Sequence, residues 1–358
     1  MHIKKNVNAL MAYELLKILK KNKKKIAEKI KKDTNKKLKD ALAEVNSSIN
    51  ILNYAILQYA KIKTNYTAFK LQNSIGKIFF EPVGCVAFIT PWNYPLLTIF
   101  ERLPFALLAG CNIILKPSEF TPNFNNLLKK ILHKNKILNN QIKVLLSKDN
   151  KEGKLLTYDK NVDMISFVGS AKTAKNIVRQ TSYSLKKISL ELGGKNTAII
   201  LDKDFNVNFI DNIIFGIFEN SGRACVAISK ILVNEKIYDD FLKYLQKIII
   251  KKFLNKNIYE RKILKFEKNK IKDTIKFLDK KISFKNRLYL SKNKKNFCLL
   301  ISDKYSKYDK ILDEEFFFPI VSCQSFKNEK QLIEKANNSK YGLACYIFSK
   351  NIKKSKQI

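Results

Sequence analysis

Histidine is almost missing from this 358-residue chain: His2 and His133 are the only two. A three-histidine zinc site within one chain is therefore excluded, and histidine-based acid–base catalysis has little to draw on. No metal ligand set is expected, and His133, in KKILHKNK, reads as an exposed helical residue. The six cysteines are scattered without a C-x-x-C pair, which argues against zinc ribbons and thioredoxin-type redox centres and for reduced, intracellular thiols. There is no G-x-G-x-x-G fingerprint, so pattern alone leaves a dinucleotide undecided. No apolar run reaches membrane-spanning length, because LLTIFERLPFALLAGCNIIL is broken by Glu101 and Arg102. The N-terminus lacks a secretory apolar core, and a cytoplasmic location is expected. Acidic residues are also scarce: 31 Asp plus Glu face 69 Lys plus Arg, for a net charge of +38. Such a balance suits a polyanion binder. The lysines, however, run along the whole length beside abundant Asn and Ile, and the aromatic RNA-recognition motifs are absent, so compositional drift is the preferred reading.

Residues 1–62 carry apolar positions at three- and four-residue spacings, among them Leu15, Ile26, Ile30, Val45 and Leu52, and are read as helices with a packing stripe. QNS and KIFFEP around Gly76 read as a hairpin. From Gly84 to Ile200, β-branched runs (CVAFIT, NIILK, IKVLL, MISFV, KISLEL, TAIIL) alternate with helical segments, which implies a parallel sheet covered on both faces. Ligands of such sheets bind at the carboxyl ends of the strands. A second α/β region starts at ISKILV with a helix from Tyr238, and residues 251–310 carry no motif.

The stretch FENSGRACVAISKILV (218–233) holds a cysteine among small residues, and a strand start would leave little bulk over the Cys225 sulfur. That suits a nucleophile, although in isolation Cys225 reads more readily as core than as a reactive thiol. Upstream, Glu191 closes the strand-like KKISLEL, and Gly193 and Gly194 allow a tight turn or a close approach. A thiolate plus a carboxylate makes sense as acylation followed by deacylation. A structural Glu191–Lys195 pair is the competing account. Cys111 and Cys345 lie in apolar stretches and are read as core.

Seven ordered blocks resemble the aldehyde dehydrogenase superfamily: EPVGCVAFITPWNYPL (81–96), AGCNIILKPSEFTP (109–122), ISFVGSAKTAKNIV (165–178), LELGGKNTAII (190–200), NSGRACVA (220–227), EEFFFPIV (314–321) and ANNSKYGLACYIFS (336–349). The early blocks are similar to the betaine-aldehyde and succinate-semialdehyde types. The resemblance implies an α/β fold with a Rossmann-type coenzyme domain: N-terminal helices (1–63), an oligomerisation hairpin (64–82), the dinucleotide-binding part (83–193) and a catalytic domain (194–358). It implies that an aldehyde is oxidised to a carboxylic acid with hydride transfer to NAD or NADP. In that scheme Cys225 attacks, the Asn93 amide and the Cys225 N–H hold the oxyanion, and Glu191 activates water against the thioester. Taken alone, Asn93 in PWNYP reads as a turn residue. Thr90, Trp92, Gly169 and Ser170 would line the dinucleotide path, Lys116, Ser118 and Glu119 the adenosine ribose, and Glu315 and Phe317 the nicotinamide ribose. A carboxylate at position 119 favours NAD, and a homo-oligomer with a small aldehyde substrate is implied, without membrane or nucleic-acid partners.

Departures from the family pattern stand at Arg102, Ala174, Arg223 and Phe318, each adding bulk or changing charge, and Phe318 takes a glycine's place. Against that pattern the chain also starts late and stops before the last catalytic-domain strands, which implies an exposed sheet edge and weakened assembly. A non-catalytic relic that only binds a nucleotide or a partner is the alternative function, and a basic nucleic-acid binder a weaker third.

Overall fold

A computed structural model of the chain describes residues 2–62, 65–149, 151–203, 206–256, 287–293, 296–302 and 314–358, with scattered positions between 264 and 276. Most of the motif-poor 257–286 lies outside the described residues. The chain divides into two units, Met1–Glu191 and Leu192–Ile358.

The first unit opens with two long helices, α1 (His2–Thr34) and α2 (Leu38–Lys61). Leu15, Leu19, Ile26 and Ile30 of α1, and Ala41, Val45 and Leu52 of α2, are buried at helical spacing while the lysines face outward. Asn35 closes α1 with φ 55°, a left-handed conformation that asparagine tolerates. Strands β1 (Asn65–Leu71) and β2 (Ser74–Phe79) then form an antiparallel hairpin.

The five strands that follow are all parallel: β3 (Cys85–Ile89), β4 (Asn112–Lys116), β5 (Ile142–Val144), β6 (Met164–Val168) and β7 (Lys187–Glu191). Their order is β5-β4-β3-β6-β7. The chain builds outward from β3 to β5, then returns to build outward again from β6 to β7. Strand order thus reverses between β3 and β6, and in open parallel sheets that reversal opens a crevice at the carboxyl ends. Helices α3 (Leu97–Phe100), α4 (Leu103–Ala109), α5 (Pro122–His133), α6 (Lys136–Gln141), α7 (Lys151–Tyr158) and α8 (Ala171–Thr181) form the connections.

The second unit is a six-stranded sheet ordered β10-β11-β12-β9-β8-β13. Its strands are β8 (Asn196–Ile200), β9 (Ile228–Asn234), β10 (Arg287–Asn293), β11 (Asn296–Ser302), β12 (Ile320–Phe326) and β13 (Cys345–Phe348). Only β10 runs antiparallel to its neighbour. Helix α9 (Val207–Phe218) buries Ile210, Ile213, Ile214 and Ile217 against this sheet, and α10 (Tyr238–Lys256) adds Phe241 and Leu245.

Two expectations change here. TAIIL, grouped by its pattern with the runs of the first sheet although the domain boundary after residue 193 set it apart from them, is β8 of the second sheet, since a buried β-branched run does not say which sheet it joins. Cys345, read as core, is exposed at the start of β13, which pairs with β8 on one side.

Candidate active site

In the first unit the sequence-predicted residues gather at the carboxyl edge, around the crevice. Thr90 follows β3 and donates its N–H to the Lys116 carbonyl (3.2 Å). Its hydroxyl oxygen is buried with no hydrogen-bond partner among the described residues, an arrangement that ordinarily needs a reason. Asn93 is buried and Trp92 half-buried in the bends after Thr90. At the end of β4 the Lys116 ammonium lies 3.2 Å from the Glu119 carboxylate. Ser118 closes the turn between them: its hydroxyl accepts from the Phe120 N–H (3.3 Å), and its carbonyl from Thr121 Oγ1 and Asn125 Nδ2.

At the end of β6, Gly169 donates to the Glu191 carbonyl (3.0 Å), and a Cβ on it would meet the Phe167 ring. Ser170 caps α8 by accepting from the Thr173 N–H (3.2 Å). The start of α8 therefore faces the crevice, where a helix N-terminus favours negative charge. Glu191 ends β7 with its side chain 49% exposed, and Arg102 Nη2 stands 3.5 Å from its Oε1. The competing account needs a buried Glu191, whereas this side chain is half-exposed; the Lys195 ammonium donates to the Glu314 carbonyl (2.9 Å).

In the second unit the site residues gather at the opposite kind of edge. The segments entering β8 (Gly193–Lys195), β9 (Cys225–Ala227), β12 (Glu315–Pro319) and β13 (Leu343–Ala344) all precede parallel strands, so they share the amino edge of the sheet. Cys225 occupies a turn three residues before β9, not the strand itself, and is half-buried. Asn196, 2% exposed, frames this turn: its Nδ2 donates to the carbonyls of Cys225 (2.6 Å) and Ala227 (2.9 Å), while its Oδ1 accepts from Ala344 N–H (3.0 Å). The Tyr346 hydroxyl donates to the Val226 carbonyl (2.8 Å). Burial, with Glu219 and Cys225 nearby, pushes the Tyr346 phenol above its ordinary range, so it remains a donor.

Upstream of the cysteine, Asn220, Ser221 and Gly222 adopt φ values of 48°, 60° and 74°. Three left-handed residues in a row are costly for side-chain-bearing positions and persist only where the surroundings hold them. Gly222 is obligatory on space as well, since a Cβ there would lie 2.5 Å from the Pro319 nitrogen. Gly193 and Gly194 have no left-handed φ, so they are not needed for a tight turn; they serve close approach. A Cβ on Gly193 would strike the Glu315 carboxylate, which accepts from Gly194 N–H (3.3 Å), and one on Gly194 would press on the Cys225 carbonyl.

Sequence reasoning missed Asn196 and Tyr346. The single signal for Asn196 was an amide opening a fully apolar strand, where asparagine is otherwise disfavoured. Asn196→Ala removes the amide from the buried Ala227 carbonyl, at about 1–3 kcal/mol for such an unsatisfied group, and also from the part-buried Cys225 carbonyl and Ala344 N–H. A clear fall in the urea midpoint is the expected result, and an unchanged midpoint would remove Asn196 from this role.

The family model described as "Aldehyde dehydrogenase family" matches residues 8–358. The chain belongs to the aldehyde dehydrogenase family. It is 30% identical to a betaine aldehyde dehydrogenase of Bacillus subtilis, over 96% of this chain and 73% of that protein. It is 28% identical to a D-glyceraldehyde dehydrogenase (NADP(+)) of Picrophilus torridus, over 95% and 71%. The crystal structure of betaine aldehyde dehydrogenase from Staphylococcus aureus in complex with NAD+ matches with a TM-score of 0.86 at 26% identity, covering 99% of this chain and 72% of that one. Among the described residues no helix is long and apolar enough to cross a membrane.

The departures from the aldehyde dehydrogenase pattern look different in place. Arg223 is 3% exposed and forms a two-pronged ion pair with Glu267 (2.5 and 2.9 Å), whose carboxylate also accepts from the Leu264 N–H (2.7 Å). Its charge is thus matched by a residue of the stretch that carried no motif. Removing one partner of such a pair typically costs about 3–5 kcal/mol. Ala174 is buried in the first turns of α8. The strained backbone in EEFFFP belongs to Phe317, with φ 63°, and not to Phe318, which is buried with its backbone against Gly222. Arg102 engages Glu191, as described above.

Proposed function

We propose that this chain oxidises a small aldehyde to a carboxylic acid through a covalent cysteine intermediate, with NAD as the hydride acceptor. The observation that carries this reading is the Cys225 turn. The turn that carries this half-buried thiol is held by side-chain hydrogen bonds to the carbonyls of Cys225, Val226 and Ala227, behind a run of left-handed residues. Strain and polar contacts concentrated on the backbone around one side chain are what a pre-organised nucleophile requires.

The residues present suit a dinucleotide. The orphaned Thr90 hydroxyl, the Lys116–Glu119 pair and the Ser170-capped start of α8 offer a buried donor, a ribose-binding carboxylate and an anion site on one sheet edge. The Glu119 carboxylate accepts the two ribose hydroxyls and repels a 2′-phosphate, which favours NAD over NADP. Trp92, Gly169, Glu315 and Phe317 complete the cofactor contacts in this reading. Ser118 contributes through its turn, and its hydroxyl, which accepts from the Phe120 N–H, keeps an O–H to donate to the ribose.

Cys225, as thiolate, attacks the aldehyde carbon, and the resulting oxyanion is held by the Asn93 side-chain amide and the Cys225 N–H. Each such donor contributes about 3–4 kcal/mol to lowering the barrier. NAD, when bound, would supply the acceptor for the hydride of that carbon, and Cys225 would then carry the acyl group as a thioester. Glu191 removes a proton from water, the hydroxide adds to the thioester, and the C–S bond breaks to release the acid and regenerate the thiolate. Glu191 then returns the proton to solvent, which its half-exposed carboxylate reaches. The same reading assigns the apolar residues exposed on the β1–β2 hairpin, among them Phe69, Leu71, Ile75 and Phe79, to a contact between copies of the chain.

Incubating folded protein with betaine aldehyde, D-glyceraldehyde, succinic semialdehyde and short aliphatic aldehydes is expected to generate NADH from NAD, with less product from NADP. A flat NADH absorbance across the panel would instead favour a non-catalytic, nucleotide-binding role.

A further inference from the structure

Behind the loop that carries Trp92 and Asn93 stands a buried ion pair that the proposed reaction does not use. Lys36 lies at the corner between α1 and α2, next to the left-handed Asn35 and the buried Thr34, whose hydroxyl donates to the Ile30 carbonyl (2.7 Å). Glu44 projects from α2. Their side chains are 2% and 0% exposed, and the Lys36 ammonium contacts Glu44 Oε2 directly. The second carboxylate oxygen accepts from the backbone N–H groups of Leu96 (2.9 Å) and Leu97 (3.3 Å). The same ammonium stands 3.9 Å from the centroid of the Tyr94 ring. One ion pair therefore grips the chain at Tyr94, Leu96 and Leu97, immediately after Asn93. No side chain caps the start of α3, so Glu44 supplies the acceptor from outside the loop.

A buried ion pair is a poor device for stability, since apolar residues of similar volume usually do as well. Its value lies in specifying a conformation: a carboxylate flanked by an ammonium and two N–H groups has a single satisfied arrangement, and the loop must adopt it. We propose that Lys36 and Glu44 are positioning residues for the Asn93 loop, fixing its backbone from the N-terminal helices. The restraint stands on these contacts alone; its effect on turnover rests on Asn93 being the oxyanion donor.

Trp92 is the single tryptophan of the chain, so its fluorescence reports on this loop without reference to activity. Glu44→Gln keeps the shape but leaves the buried ammonium uncompensated. It is expected to raise acrylamide quenching of Trp92 about two-fold or more. It should also lower kcat by roughly ten-fold or more with little change in the aldehyde KM, as expected when a catalytic group is displaced by a fraction of an ångström. The neutral double variant Lys36→Met/Glu44→Gln, which keeps an acceptor for Leu96, should recover most of the protection of Trp92. Unchanged quenching in folded Glu44→Gln would overturn the proposal, as would altered quenching with undiminished kcat. If Glu44→Gln does not fold, Lys36→Met decides by the same two readouts. Should the wild-type chain oxidise no aldehyde, the proposed function fails while the quenching comparison still decides the restraint.

Discussion

Cys225→Ala is expected to abolish aldehyde oxidation and any accompanying ester hydrolysis, lowering kcat by ~10³-fold or more, because both reactions pass through the same sulfur. The fold should not notice. The side chain is half-buried in a turn, and Asn196 holds that turn through backbone carbonyls. Removing one sulfur atom there leaves those hydrogen bonds intact, so the urea midpoint should stay near that of the wild type. Retained oxidation in Cys225→Ala would show that the nucleophile lies elsewhere. A collapse of stability alongside lost activity would show that the residue is structural.

Glu191→Gln has the second-largest expected effect, and a different kinetic signature. Acylation and hydride transfer do not need this carboxylate, so the first turnover should proceed and NADH should appear as a burst of about one equivalent. Hydrolysis of the thioester should then slow by ~10²- to 10⁴-fold, the usual contribution of a positioned base. The contact with Arg102 does not compete strongly with this role: the pair is 3.5 Å apart and Glu191 is half-exposed, where ion pairs contribute little. A steady state indistinguishable from that of the wild type would remove Glu191 as the base.

Much of this architecture was legible because parallel strands write themselves as short β-branched runs. CVAFI, NIILK, MISFV and KISLE all stand where their patterns put them. What such runs cannot express is sheet membership: pattern alone groups TAII with the first sheet, and only the domain boundary implied by the family resemblance sets it apart. The site was legible as residue types in order, and its supports were not. Asn196 acts through the carbonyls of residues about thirty positions away, and Glu267 meets Arg223 across a stretch without any motif. Glu44 sits in an amphipathic helix where a carboxylate reads as one more solvated charge, yet its side chain is fully buried. The left-handed backbone falls on Phe317, one residue before the position where Phe318 takes a glycine's place, because composition marks where a glycine is missing and not which neighbour takes the left-handed turn.

The central claim is that the sulfur at position 225 carries the acyl group. Mixing the Glu191→Gln variant with NAD and an accepted aldehyde, quenching in acid and mapping the peptide that spans Arg223–Lys230 by mass spectrometry addresses it directly. The account predicts an acyl mass on Cys225, formed with NAD and absent without it. NADH formation with an unmodified Cys225 peptide, or an acyl group on another cysteine, would contradict it.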